Sequence, residues 1–245
     1  MMNTAINIIY EDEALLMVEK PAGVLSIPDR FDANKPNLYH LLLAKYQTIY
    51  VVHRLDLDTS GVICFAKTEA AHRNLSLQFE HRTVEKIYLA LVNGRPPEAE
   101  GVIEAAIAHH PTIQGKMVLH KKGKHAVTHF KCIEYFKQFT LMEASIKTGR
   151  THQVRVHLAG IGHPLVVDPL YSNKSAFFLS QVKVNRYNLG QYEEERPLMS
   201  RTTLHALRLT VQHPNSEAPI TFQSELPKDF RAVIQQITKW EIGTI

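Results

Sequence analysis

Residues 51–61 read VVHRLDLDTSG and place one carboxylate, Asp56, beside a basic pair, His53 and Arg54. The stretch lies between two apolar segments, and the second of these, VICF, predicts a buried strand over residues 62–65. Short polar residues at 58–60 and a glycine at 61 predict a turn, because such side chains bond to nearby backbone groups. Asp56 is therefore a candidate reactive carboxylate, a buried ion-pair partner or a turn-forming residue.

The apolar periodicity of the rest of the chain predicts more strands than helices. Strands are predicted at residues 6–10, 15–19, 62–65, 87–92, 127–135, 141–147, 204–211 and 220–222. The first two, separated by an acidic turn, are predicted to form a hairpin at the edge of a sheet. Helices are predicted after an Asn37 cap, over residues 68–82, from Thr151 onward and over residues 228–240. Several strands follow one another without an intervening helix, which favours an α+β fold with a mixed, largely antiparallel central sheet and flanking helices.

The composition is that of an ordinary globular protein, with 44% apolar and 21% charged residues. A formal charge of +4 and 14 histidines suit a polyanionic partner. No stretch approaches the length of a membrane span, so we expect a cytoplasmic protein without a membrane partner. Cys64 and Cys132 each lie in an apolar run, which predicts two core side chains in a reducing compartment and no disulfide or zinc site.

Two polar insertions, at residues 109–125 and 172–201, are predicted to be exposed loops. The first contains the motif KKGKH and the second contains an acidic run at residues 193–195. Lysine side chains in the first insertion, together with Arg73, Arg82 and Lys86 elsewhere, are either phosphate contacts or ordinary solvated surface charges.

A second cluster of basic side chains lies at residues 147–157, KTGRTHQVRVH, where a turn leads into a predicted helix. Arg150, His152, Arg155 and His157 gather near the start of that helix. If Val154 and the residue four positions later face the core, Arg155 lies at the core boundary and can reach an inward-facing carboxylate such as Asp56. A guanidinium beside Asp56 would favour its ionised form against the opposing effect of burial.

At four separate places the chain resembles the RluA-type pseudouridine synthases. The matching segments are HRLDLDTSG at residues 53–61, EKIYLALVNG at 85–94, TGRTHQVRVHLAGIGHPLVVDPLY at 148–171, and LHALRLTVQHP at 204–214. They occur in the family's order, and the resemblance extends from about residue 6 to the final helix. It implies one pseudouridine synthase catalytic domain over residues 1–245, without the S4-like domain that many relatives carry.

The resemblance also implies the roles of individual residues. Asp56 is the catalytic aspartate, Tyr88 the active-site tyrosine and Arg155 the basic partner of Asp56. Arg54 enters the RNA where the target base leaves its stack, and Leu204 packs under the flipped base. His53, Arg150 and Lys86 complete the RNA-contacting set that we predict. The implied activity is an isomerase that converts uridines of structured ribosomal or transfer RNA to pseudouridine, with no cofactor, no metal and no obligate protein partner.

Two other classes of function remain open at the level of sequence. A non-catalytic RNA-binding protein on the same fold would keep the same motifs. A glycosidase or N-glycosylase would also place a carboxylate at a sugar, but a glycosidase needs a second carboxylate, for which Asp58 in its turn is a weak candidate. His53, Asp56 and Asp58 match no standard metal site. Whether Asp56 acts as a nucleophile or as a base is also left open.

Overall fold

The computed structural model describes residues 6–30, 32, 34–183 and 194–242. The fold is α+β with a mixed, largely antiparallel sheet, as predicted. Contacts divide the chain into two compact units. The first unit comprises Met1–Tyr88, Ser145–Thr148 and His205–Glu225, and the second comprises Leu89–Ala144, Gly149–Leu204 and Leu226–Ile245. A single catalytic domain over residues 1–245 stays a prediction.

All the predicted helices and strands are present, and the described residues contain four further strands that were not predicted. The strands are β1 (Asn7–Glu11), β2 (Leu15–Lys20), β3 (Tyr50–Val51), β4 (Ser60–Ala66), β5 (Glu85–Asn93), β6 (Glu100–Glu104), β7 (Ile107–His109), β8 (Met117–Leu119), β9 (Val127–Tyr135), β10 (Phe139–Ile146), β11 (Leu204–Gln212) and β12 (Pro219–Gln223). The α-helices are α1 (Leu38–Leu43), α2 (Glu69–Glu80), α3 (Gln153–Gly160) and α4 (Lys228–Ile237).

In the first unit, strand β4 lies between β2, which is antiparallel to it, and β11, which is parallel to it. Strand β1 pairs with β2 as the predicted edge hairpin, and β12 pairs with β11. All seven residues of β4 are buried, so the strand is covered on both faces. Alternate residues of β2 and β4 enter two core clusters, one with Leu75 of α2 and the other with Leu38 of α1.

Both helices of this unit begin at a side-chain cap, of which the one at Asn37 was predicted. The Asn37 side chain accepts a hydrogen bond from the backbone N–H of His40 and starts α1. The Thr68 hydroxyl accepts one from Ala71 and starts α2. These bonds satisfy backbone donors that the first helical turn leaves without partners.

In the second unit, β6 pairs antiparallel with β9, and β10 lies on the other side of β9. The first polar insertion corrects one prediction, because it is not a loop throughout: β7 and β8 pair there as a small antiparallel hairpin. The second insertion contains a 3-10 turn at Leu179–Gln181, and residues 184–193 lie outside the described residues. Cys64 is buried as predicted, but Cys132 is only half-buried.

Candidate active site

Asp56 lies in the short segment between β3 and β4, and both of its chain neighbours are fixed by hydrogen bonds. The Leu55 N–H donates to the Ser26 hydroxyl oxygen, and that hydroxyl donates to the Leu55 carbonyl, each at 2.9 Å. The carbonyl of Leu57 accepts from Lys20 Nζ at 2.9 Å and from the Gly23 N–H at 3.0 Å. The backbone that carries Asp56 is thus held on both sides, which preorganises the carboxylate.

The sequence analysis missed the hydrogen bonds by which Lys20, Gly23 and Ser26 hold this backbone, because it assigned their segment only to the end of a hairpin. Lys20 is fully buried, and its ammonium group also donates to the carbonyls of Pro21 at 3.0 Å and Val24 at 2.7 Å. A buried ammonium is tolerated when such acceptors replace its hydration. A lysine followed by Pro-Ala-Gly at the end of an apolar strand was the available signal.

The turn after Asp56 forms differently from the prediction. The Thr59 N–H donates to the Asp56 carbonyl, but the Thr59 hydroxyl is buried and makes no hydrogen bond within the described residues. The Ser60 hydroxyl bonds the Nδ1 atom of His205 at 2.9 Å instead of the local backbone. Tertiary packing therefore replaces the local side-chain bonds that these residue types favour.

Gly61 has a backbone φ of +123°, which side chains disfavour, and it pairs with Ala206 of β11. A Cβ atom at this position would lie 2.2 Å from the carbonyl oxygen of Ala206. No side chain fits without moving the two strands apart. Glycine at the end of the motif is thus required by the close approach of β4 and β11.

Tyr88 lies on β5, half-buried against the core cluster to which Leu55 belongs. Burial, and secondarily the negative charge of Asp56, raise the pKa of the Tyr88 hydroxyl. The two predicted catalytic groups therefore lie within electrostatic reach of each other. The hydroxyl keeps its proton at neutral pH, so it acts as a hydrogen-bond donor and not as a base.

The two basic residues before Asp56 have different surroundings. Arg54 is exposed, as a residue that enters RNA must be. His53 is half-buried, stacks on the Phe79 ring at 4.7 Å between centroids, and accepts the Cys64 N–H at Nε2. Burial and the charge of Lys86 lower the pKa of His53 to about 3. The ring is therefore neutral, with its proton on Nδ1, and it supports the loop from beneath.

Lys86 is only 8% exposed, with its ammonium nitrogen 5.7 Å from the centre of the Phe79 ring. Burial is the main cause that lowers its pKa to about 8, and the positive charges of Arg82 and Lys147 add to it. It stands two residues before Tyr88 on β5.

Arg155, the third predicted catalytic residue, lies on α3 and is 6% exposed. Its Nε donates to Asp168 Oδ2 at 2.7 Å and its Nη2 to Asp168 Oδ1 at 2.8 Å. Asp168 is fully buried and also accepts the N–H groups of Leu170 and Tyr171. The two bonds use two of the five N–H donors of a guanidinium. Sequence reasoning missed Asp168, and the pairing of Arg155 with Asp56 stays a prediction.

Tyr171 joins this pair to the β7–β8 hairpin. Its ring centre is 5.2 Å from the guanidinium carbon of Arg155 and 5.6 Å from Lys116 Nζ. Its hydroxyl accepts the Met117 N–H at 2.9 Å and contacts Nδ1 of His152 at 3.1 Å. One aromatic side chain thus contacts both the hairpin and the buried arginine.

The other predicted residues of this unit have mainly backbone contacts. Arg150 is half-buried, and its Nε donates to the carbonyl of His125, the last residue of KKGKH. His157 is fully buried, and its Nε2 contacts the Ala105 carbonyl, which fits a structural histidine. Leu204 is buried at the start of β11.

Neither a metal centre nor a membrane span is found where the structure is described. Within residues 6–30, 32, 34–183 and 194–242, no group of three or more His, Cys, Asp or Glu side chains is arranged to hold a metal ion. In the same residues, no helix is long and apolar enough to cross a bilayer.

Comparisons with known proteins agree with the motifs. The family model described as RNA pseudouridylate synthase matches residues 14–160, more than half of the chain. A ribosomal large subunit pseudouridine synthase D of Nitrosomonas europaea is 38% identical over 95% of this chain. A dual-specificity RNA pseudouridine synthase RluA of Salmonella typhi is 36% identical over 91% of it.

The chain spans 65% of the length of the Nitrosomonas protein and 93% of the Salmonella protein. Among solved structures, human RNA pseudouridylate synthase domain containing 1 matches with a TM-score of 0.68 and 27% identity, covering 91% of this chain and 84% of the human one.

Proposed function

The chain belongs to the RNA pseudouridylate synthase family, and on that premise we propose that it isomerises specific uridines of structured ribosomal or transfer RNA to pseudouridine. The observation that carries the proposal is Asp56, held between two hydrogen-bonded neighbours and within electrostatic reach of Tyr88. We propose a cytoplasmic location and no obligate protein partner.

The reaction exchanges one bond of the ribose for another. The C1′–N1 bond breaks, the uracil turns, and a C1′–C5 bond forms; C5 loses its proton and N1 gains one. Atoms and oxidation state are conserved overall, so the chemistry requires neither a redox cofactor nor a cosubstrate. Asp56 supplies the carboxylate, either as a nucleophile at the sugar or as a base.

Tyr88 and Leu204 receive the detached base in this proposal. The Tyr88 ring offers a flat apolar surface on which uracil stacks, and its protonated hydroxyl donates a hydrogen bond. Leu204 supplies apolar contact. Exposed Arg54, two residues before Asp56, fills the gap that the extruded base leaves in the RNA stack, because a base must leave the stack before its sugar can be reached.

Arg155 acts as the basic partner of Asp56. Its guanidinium is oriented by Asp168 and by the Tyr171 ring. A guanidinium fixed in this way can favour the ionised carboxylate without a change of rotamer during the reaction.

The hairpin and the KKGKH motif supply a surface for RNA phosphates. Residues 105–133 contain five lysines, five histidines and no acidic residue. Since the whole chain has a formal charge of +4, the remainder carries −1. The positive charge is thus concentrated in one segment, and Arg150 donates to the backbone at its KKGKH motif.

The test is a reaction of the purified chain with uridine-labelled ribosomal and transfer RNA, in separate tubes, with assays for pseudouridine and for free uracil. We expect pseudouridine in at least one RNA. In Asp56→Asn we expect the rate to fall by about 10³-fold or more, since the carboxylate takes part in the chemical step. Asp58→Asn, in the same turn, is the matched control and should retain its rate within a few-fold.

Other outcomes identify the alternatives. RNA binding with no pseudouridine would favour the non-catalytic RNA-binding protein. Release of free uracil would indicate an N-glycosylase. Equal losses in Asp56→Asn and Asp58→Asn would contradict the assignment of Asp56, because a general disturbance of the turn would then explain both.

A further inference from the structure

Two basic side chains of the first unit act electrostatically on a third, Lys86, which stands two residues before Tyr88. Lys86 is more than nine-tenths buried, and Arg82 and Lys147 are exposed residues whose positive charges act on it. We call Arg82, Lys86 and Lys147 the cationic cluster.

Lys86 has no carboxylate at ion-pair distance anywhere in the described part of the chain. Its ammonium contacts the ring of Phe79, a cation–π interaction that leaves the positive charge in place. His53, which stacks on the same Phe79 ring, is neutral. The folded protein thus holds a buried cation beside two like charges, an arrangement that opposes folding.

Such an arrangement is explained when an anion occupies the site during function. The position indicates which anion. Lys86 and Tyr88 are two residues apart on β5, about 7 Å along an extended strand. That spacing is comparable to the separation of base and phosphate within one nucleotide. The loop that carries His53 and Asp56 runs beside both residues, because the charge of Lys86 helps to lower the pKa of His53 and the charge of Asp56 helps to raise that of Tyr88.

We propose that the cationic cluster is a phosphate subsite that binds the RNA backbone phosphate adjacent to the target uridine. The identity of that nucleotide rests on the proposed function, whereas the binding of a phosphate does not. The buried ammonium fixes the position of the phosphate, and the exposed Arg82 and Lys147 add charge at the entrance. Held there, the phosphate positions the ribose of the same nucleotide for attack at C1′.

The experiment measures binding in an Asp56→Asn background, so that no turnover occurs. The probe is a fluorescent twelve-nucleotide single-stranded oligouridylate, titrated at several KCl concentrations. Lys86→Met should weaken binding at low salt by at least tenfold and reduce the slope of log K against log [salt] by about 0.7, the value for one phosphate contact on single strands. Lys147→Gln should also reduce the slope of log K against log [salt]. Because Lys147 is exposed, this substitution should not disturb folding.

A matched control and a stability measurement separate a binding role from a structural one. Lys228→Met, an exposed lysine at the start of α4, should leave the slope unchanged. Without RNA, Lys86→Met should raise Tm, because it removes a buried charge on which the like charges of Arg82 and Lys147 act. Methionine retains an apolar side chain of similar length.

An unchanged salt slope in both Lys86→Met and Lys147→Gln would overturn the subsite, whatever happens to Tm. A lowered Tm for Lys86→Met together with an unchanged slope would assign Lys86 to packing. Failure of the proposed function is distinguishable, because it would appear as absence of pseudouridine in the turnover assay while the salt slopes still differed.

Discussion

Arg155 and Lys86 are both buried basic residues, one in each compact unit, and their surroundings differ sharply. Arg155 forms two short hydrogen bonds with the buried carboxylate of Asp168. Lys86 has a phenyl ring beneath it and two like charges around it, with no carboxylate at ion-pair distance among the described residues. The protein neutralises one buried cation internally and leaves the other to be neutralised from outside.

This difference separates two uses of positive charge. A guanidinium held by a carboxylate has a fixed orientation and serves as part of the framework. The Lys86 ammonium, with no carboxylate at ion-pair distance among the described residues, contributes to the free energy of binding when an anion arrives. Lys20 represents a third solution, because three backbone carbonyls surround its ammonium.

The strongest test of the contrast removes the negative charge beside Arg155. Asp168→Asn keeps the shape of the side chain but leaves a buried guanidinium without its carboxylate. We expect the free energy of unfolding to fall by about 3–5 kcal/mol, measured by urea unfolding, together with a loss of pseudouridine formation.

Asp229→Asn is the matched control, since Arg201 and Asp229 form the same bidentate geometry at 2.7 and 2.9 Å with Asp229 34% exposed. There the loss should stay within about 1 kcal/mol. Similar losses in the two variants would show that burial does not distinguish these pairs.

The second test uses pH to follow the charge on Lys86. Its pKa in the folded protein, about 8, lies below the ordinary 10.5. The unfolded chain therefore binds more protons between these values, and this group's contribution to stability rises with pH from about 8 to 10.5. At pH 7, Lys86→Met should be more stable than the parent by up to about 3 kcal/mol.

That advantage of Lys86→Met should shrink steadily as the pH is raised towards 10.5, when urea unfolding of both proteins is compared at each pH. Taking the difference between the two proteins cancels the titration of the other lysines and tyrosines. A difference that did not change with pH would mean that packing, and not charge, separates them.

The third and smallest test concerns Lys20. Lys20→Met removes one donor from each of three carbonyl groups, and that of Leu57 beside Asp56 keeps only its bond from the Gly23 N–H. We expect a loss of about 2 kcal/mol in the free energy of unfolding, and a further loss of activity through the displaced loop. Lys67→Met is the control, because Lys67 also donates to a carbonyl, that of Asp12, but is 23% exposed. Equal effects on activity would argue against a specific role for the Lys20 bonds.

The features that were predicted correctly depend on neighbours in sequence. The edge hairpin and the buried strand β4 follow from periodicity, and the cap at Asn37 follows from a side chain three residues away from its partner. The β7–β8 hairpin was missed because its strands have three residues each and lie in a polar segment. Strands that short give no periodic signal.

The partners within the site were harder to predict. The Asp168 partner of Arg155 is 13 residues away, and several carboxylates compete for that role in sequence. The bonds of Lys20 and Ser26 go to backbone carbonyls and amides, which every residue carries and which leave no pattern. The family resemblance identified Asp56, Tyr88 and Arg155 as a set, whereas their supports became visible only in the fold.

Gly61 bears on how the motif HRLDLDTSG is used to find relatives. The glycine is required by the contact between β4 and β11, which leaves no room for a Cβ atom. A relative that kept this glycine but had lost the aspartate five positions earlier would still be able to pair these strands. In a database search, a match at the glycine therefore reports the architecture, and only a match at Asp56 reports the chemistry.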